Sequence, residues 1–197
     1  LLDCFLSHRK GIALFTLIGL ALILNNMGLL YLADGDTPHA LEQLLASIEY
    51  GDRVTPRPDS QGETYSGIAQ AYLALGQLEE AHQAASQALE ISQGVNRADL
   101  IGLAYRTLGE VATRQNFTRF EPGYFFERSR TVLHAAGATP EYGRTLLAEA
   151  RWLFSQQKVT HAADNLNEAI TLFEQLALPM EADLARQMLA DHEADAG

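Results

Sequence analysis

A chain of 197 residues, 47% hydrophobic and 20% charged, is long enough for one core or a short repeat array and falls outside the disordered range. Its net charge of −11 excludes a nucleic-acid binder, which needs surplus lysine and arginine on one face to neutralise phosphate. The single cysteine, Cys4, excludes an internal disulfide framework and fits a reducing, cytoplasmic setting.

In chain order, the first element is the stretch HRKGIALFTLIGLALILNNMGLLYLADGD, which carries no charge between Lys10 and Asp34. As a helix, such a run extends about 35 Å, enough to cross a bilayer core. A repeat frame points elsewhere. Met27, Gly28, Tyr31, Gly35 and Ala40 stand 41 residues before Ile68, Ala69, Tyr72, Gly76 and Ala81. Gly28, Ala69, Gly109 and Ala150 then align, as do Ala40, Ala81, Pro122 and Ala162, and Leu44, Ala85, Phe126 and Leu166, at spacings of 40 or 41. The register places residues 20–34 in the first helix of a helical hairpin and makes a membrane span over 11–33 the minor alternative.

The resulting organisation is a tail of an incomplete repeat over 1–10, repeats at 11–52, 60–94, 98–137 and 140–177, and a capping helix over 179–192. Within a unit, apolar positions recur at helical spacing, and nothing alternates with the period of a strand. Each repeat therefore reads as two antiparallel helices. Ser60 and Glu63 suggest a capping box, Thr37-Pro38 and Thr139-Pro140 place proline at a first helical position, and Gly11, Gly51, Gly94 and Gly137 are read as left-handed C-caps. Gly28 and Ala81 are read as close helix contacts, Ala84 as facing outward.

The segments LNNMGLLYLADGD and AYLALGQLEEA resemble the tetratricopeptide repeat family over roughly residues 20–176. The resemblance implies an all-α, right-handed superhelical solenoid of antiparallel hairpins that binds other proteins. The units depart from the family by exceeding its usual length of about 34 residues. They also lack its closing proline, place Glu149 at an apolar position and lengthen the third turn at TRQNFTRFEPGYF. Such long units look like those in sensor regions of bacterial signal-transduction ATPases and maltose-regulator-type activators, and in kinesin light chains.

No phosphate loop, nucleophile elbow or HExxH motif is present, so neither catalysis, cofactor nor metal is expected. The histidines are scattered, and the His161/Asp164 pair reads as surface. Trp152, among Leu153 and Phe154, reads as packing. What the resemblance singles out is a concave groove lined by the first helix of each pair. Carried over position by position, it selects Asn25, Asn26 and Leu29, then Glu63, Ser66, Gln70 and Leu73. In the second half it selects Arg106, Glu110, Thr113 and Arg114, then Arg144, Leu147, Arg151 and Phe154. Four arginines on one wall suit an acidic or C-terminal peptide segment. The competing reading is a solvated lattice of surface ion pairs with Glu110, Glu149 and other local acids.

The expected function is a non-catalytic scaffold that binds a protein or peptide, acidic in character, as part of a larger regulatory protein. The alternative is a ligand-sensing regulatory region of a signal-transduction ATPase or transcription activator. No nucleic-acid or membrane partner is expected, and self-association through the apolar edge at 12–24 is left open.

Overall fold

The computed structural model describes residues 2–54, 60–114 and 121–195, with side chains from residue 14 to 192 within those segments. These residues form helices and short turns, without strand. Two compact units divide the chain, Leu1–Val95 and Asn96–Gly197. The first holds α1 (Leu2–Ala33), α2 (Thr37–Gly51), α3 (Gln61–Ala74) and α4 (Leu78–Gly94). The second holds α5 (Ala98–Arg114), α6 (Pro122–Ala135), α7 (Thr139–Ser155), α8 (Val159–Gln175) and α9 (Pro179–Asp195).

Helix pairing follows the small and large positions of the repeat. A Cβ on Gly28 of α1 would lie 2.5 Å from Leu44 Cγ of α2, and one on Gly109 of α5 would lie 2.8 Å from Phe126 of α6. Where the first helix has glycine, the second has a large residue. Where it has Ala69, the second has Ala85, and all these side chains are fully buried. Gly102 lies against Leu133 and Gly143 against Phe173 in the same way. Residues early in one helix thus meet residues late in its partner, so α1/α2, α3/α4, α5/α6 and α7/α8 are antiparallel hairpins. Burying a side chain such as Leu44, Phe126 or Phe173 stabilises by about 1.5–3 kcal/mol each.

The turns share one design. After α1, α3, α6, α7 and α8 a residue in the left-handed region follows, namely Gly35, Gly76, Gly137, Gln157 and Ala177. Its N–H reaches back to the carbonyl of Leu32, Leu73, His134, Phe154 or Glu174, and the next N–H bonds the carbonyl of Tyr31, Tyr72, Leu133, Leu153 or Phe173. Both bonds define the Schellman motif and satisfy carbonyls that a helix end leaves open.

Several local expectations need correction. Of the four proposed glycine C-caps, only Gly137 is left-handed. Gly51 is the last residue of α2 and is not left-handed; a Cβ there would lie 2.9 Å from Gln61 Nε2 of α3. Gly94 ends α4, but Asn96 takes the positive φ. Gly11 lies inside α1, which runs from Leu2 to Ala33, and ends no helix. Ser60 makes no side-chain cap; Glu63 instead accepts a hydrogen bond from Asn25 Nδ2 at 3.5 Å. Ala84 is buried rather than outward. Pro38 and Pro140 do sit in the first turns of α2 and α7. The side chain of Cys4 and residues 115–120 of the segment TRQNFTRFEPGYF lie outside the described residues.

One helix, over Leu14–Ala33 with mean hydropathy 1.8, is long and apolar enough by length and composition to cross a membrane. Its buried positions, Ala21, Asn25 and Gly28, lie on one side. Phe15, Leu22, Ile23, Met27 and Leu30 are exposed, Phe15 at 78%.

Candidate functional site

The first helices of successive hairpins are tied by polar contacts at a recurring separation. In the first unit, Asn25 of α1 is buried and accepts a hydrogen bond from Thr64 Oγ1 of α3 at 2.9 Å. In the second unit, Arg106 Nη1 of α5 donates to Glu141 Oε2 of α7 at 2.7 Å and to the Glu141 carbonyl at 3.3 Å. Arg144 of α7 bonds the same Glu141 and reaches Glu181 Oε1 of α9 at 2.8 Å. The partners are separated by 39, 35 and 37 residues, just under one repeat. The shortfall brings residues about one turn apart in repeat register into contact across neighbouring first helices.

This chain of charges sets the ionisation of its members. Burial works to raise the Glu141 carboxyl, but the charges and hydrogen bonds of Arg106 and Arg144 outweigh it and hold the group below the usual carboxylate range. A hydrogen bond from Arg144 lowers Glu181. Glu110 on α5 shows the opposite balance: burial pushes it up, and the attraction of Arg106, Arg151 and Arg114 only partly offsets that.

The wall read from the sequence therefore divides into several kinds of position. Asn25, Ser66, Leu73 and Leu147 are buried in helix packing, so they line no open surface. Ser66 donates to the Gly62 carbonyl, and Thr113 to that of Gly109, each at 2.9 Å. Leu29 packs on α3, where a Cβ at Gly67 would lie 3.0 Å from it. Asn26 is exposed, while Glu63 and Gln70 are half-buried. Arg106, 8% exposed, and Arg144 are engaged by Glu141 and Glu181, so they are ion-paired as the lattice reading has it but with other partners than Glu110 and Glu149 and, for Arg106, in a buried place. Arg114 and Arg151 are exposed at the ends of α5 and α7. Phe154 is nearly buried and stacks on His192 of α9, with ring centroids 3.6 Å apart.

Glu141, Glu181 and His192 were not among the residues singled out from the sequence. The first two carried a usable signal, an acid 35 or 37 residues after an arginine on successive first helices. His192 carried none, because a terminal histidine's stacking partner depends on how α9 lands. Trp152 packs against Phe126, centroids 6.0 Å apart, and Lys158 Nζ lies 5.5 Å from its ring centroid, which bears out the packing reading. Among the described residues, no group of three or more His, Cys, Asp or Glu is placed to hold a metal.

Comparison with known proteins agrees with the helical-repeat fold. Residues 19–94 match the tetratricopeptide repeat family model. No curated protein matches the sequence. Among solved structures, aspartyl phosphate phosphatase F from Bacillus subtilis is similar at a TM-score of 0.72 and 16% identity, over 91% of this chain and 48% of that one. This chain thus spans about half the length of that protein. A Signal Transduction ATPase with Numerous Domains from Pyrococcus horikoshii, with a tetratricopeptide repeat sensor, is similar at 0.64 and 15% identity, over 86% and 26%. A kinesin light chain with nearly identical TPR-like repeats from Podosopora anserina is similar at 0.57 and 18% identity, over 87% of each chain. At these identities the likeness establishes the helical-repeat fold and nothing finer. The repeat family generally mediates protein–protein interaction.

Proposed function

We propose that this chain, whose residues 19–94 carry tetratricopeptide repeats, is a non-catalytic binding module that takes a protein or peptide segment on the first-helix faces of its hairpins. The observation that carries this is the charged face of α5, α7 and α9. Arg106, Arg114, Arg144 and Arg151 outnumber Glu110, Glu141 and Glu181 there, in a protein of net charge −11. Arg106 and Arg144 hold the helices together, so ligand contact falls to the exposed Arg151. Acidic segments are the favoured ligands, because a guanidinium fork pairs with carboxylate oxygens bidentately.

The test is a fluorescence anisotropy titration of acidic, neutral and basic peptides against the wild type and Arg151→Ala. Acidic peptides should bind tightest, weaken with salt and lose roughly tenfold in affinity on the substitution, about 1.4 kcal/mol. Affinity indifferent to peptide charge, salt and Arg151 would remove the reading.

The likeness to the Pyrococcus horikoshii protein supports a second reading, in which the chain is the sensor region of a signal-transduction ATPase or transcription activator. The domain content of the full-length gene product separates the two. The exposed apolar face of α1 supports self-association as a further partner mode, with a second copy covering Phe15, Leu22 and Leu30.

A further inference from the structure

The cleft where a second helix meets both helices of the following hairpin occurs once within each unit, and the two instances differ. In the second unit the chain's own polar side chains bridge its middle, and an opening of about 240 Å³ lined by Leu133, Tyr142, Glu168 and Leu172 remains beside them. Glu149 of α7, only 7% exposed, meets Arg130 Nε of α6 and Asn165 Nδ2 of α8, each at 3.1 Å. The repeat frame makes Ile48, Ile68 and Ala84 the first-unit equivalents of Arg130, Glu149 and Asn165. These line an open cleft of about 240 Å³ between α2, α3 and α4, together with Leu45 and Tyr72. Leu45 is 44% exposed at its edge. An ion pair that spans these positions in one unit is thus replaced in the other by apolar side chains that line an open cleft.

The surroundings specify what fits. A cavity of about 240 Å³ is below the roughly 300 Å³ at which sites for drug-sized ligands begin, so its size suits a side chain rather than a metabolite. The helices α2, α3 and α4 contain six glutamates and no lysine or arginine; Glu49 is paired with Arg53 just past α2 and Glu63 bonds Asn25 of α1, which leaves Glu42, Glu79, Glu80 and Glu90 as the net acidic surplus. Glu80 lies on the rim of the cleft itself. From this charge pattern and the apolar floor we infer that the cleft is a docking site for a leucine-like side chain of a partner peptide flanked by lysine or arginine. It lies on a different unit from the arginine-bearing face and requires ligands of opposite charge, so it neither depends on the proposed groove nor restates it.

The experiment uses the full chain and labelled heptapeptides with a central leucine between three lysines on each side, the same peptide with central glycine, and one with glutamates in place of lysines. The Lys/Leu peptide should bind at least tenfold tighter than the other two. Ala84→Leu, which fills the cleft from within, should erase the preference for leucine over glycine. The exposed Glu80→Lys should weaken both lysine peptides severalfold without changing the thermal melt. Methyl resonances of Ile48 and Ile68 should shift on binding. No preference for leucine, or shifts confined to α5–α9, would overturn the inference. Were Ala84→Leu to prevent folding, the Glu80→Lys titration and the Ile48 and Ile68 shifts would still decide it. The acidic-peptide titration of Arg151 reads the other unit, so each reading can fail without the other.

Discussion

Gly28→Ala is the sharpest probe of the repeat packing, because its sign depends on one other residue. The added Cβ would lie 2.5 Å from Leu44 Cγ, 2.8 Å from Leu44 Cδ2 and 3.1 Å from the Ala40 carbonyl oxygen. Leu44 has nowhere to retreat, being fully buried with its methyls set against Gly67 of α3, whose own Cβ would lie 3.1 and 3.3 Å from them. Overpacking of this kind costs about 1–3 kcal/mol, while alanine gains about 1 kcal/mol over glycine in helix propensity. The net expectation is a loss of up to about 2 kcal/mol, or several degrees in Tm at 2–4 °C per kcal/mol for a chain of roughly this size. Leu44→Ala alone should cost about 2–5 kcal/mol. In that background Gly28→Ala recreates the Ala69/Ala85 pairing of the next hairpin, and it should stabilise by about 1 kcal/mol through propensity and cavity filling. Urea titrations of the four proteins followed by circular dichroism measure the cycle. The same sign in both backgrounds would refute the packing argument.

Arg106→Ala should lower stability by about 1–3 kcal/mol, because it strips one partner from a largely buried ion pair while Arg144 remains on Glu141. Exposed Arg151→Ala should stay within about 0.5 kcal/mol, and paired thermal melts check both. Glu110 has a raised folded pKa, so the folded state holds its proton longer and stability falls as pH rises from the ordinary glutamate range through that value. Glu110→Gln should therefore stabilise at neutral pH and remove this decline, and an equal effect at pH 4 and pH 7 would contradict it. Glu141 has the opposite sign: its contribution is present above the ordinary range and is lost as pH falls through its lowered pKa. Ala177→Gly should stabilise by up to about 1 kcal/mol in denaturant titration, because alanine is held there at φ 54°. Replacing Phe15, Leu22 and Leu30 by glutamate should shift the wild type from dimer to monomer in sedimentation velocity, and a monomeric wild type at high concentration would end the self-association reading.

Much of the fold is legible in the sequence because repeats write it in the alternation of small and large residues. Gly28 with Leu44 and Gly109 with Phe126 announce which helix faces meet, since only glycine admits a large partner at that distance. Helix starts at Thr37-Pro38 and Thr139-Pro140 are legible for the same local reason, proline's fixed φ. Helix ends are less so. The left-handed position is filled by Gly35 and Gly76 but also by Gln157 and Ala177, which no propensity marks. The glycine at 11 does not interrupt α1, because a single glycine costs a helix only about 1 kcal/mol.

The site was the least legible part. Four arginines spaced along first helices read identically whether they face solvent or a glutamate one repeat later, because the outcome depends on side chains meeting across helices rather than on sequence neighbours. Tertiary structure assigned Arg106 and Arg144 to Glu141 and Glu181 and left Arg151 exposed. It likewise decided that Ile48, Ile68 and Ala84 line an open cleft while their repeat equivalents Arg130, Glu149 and Asn165 pair with one another across theirs. The repeat period determined which positions come together. The volumes and charges meeting at each junction, which exist only once the helices have packed, decided whether that junction is a strut or an opening.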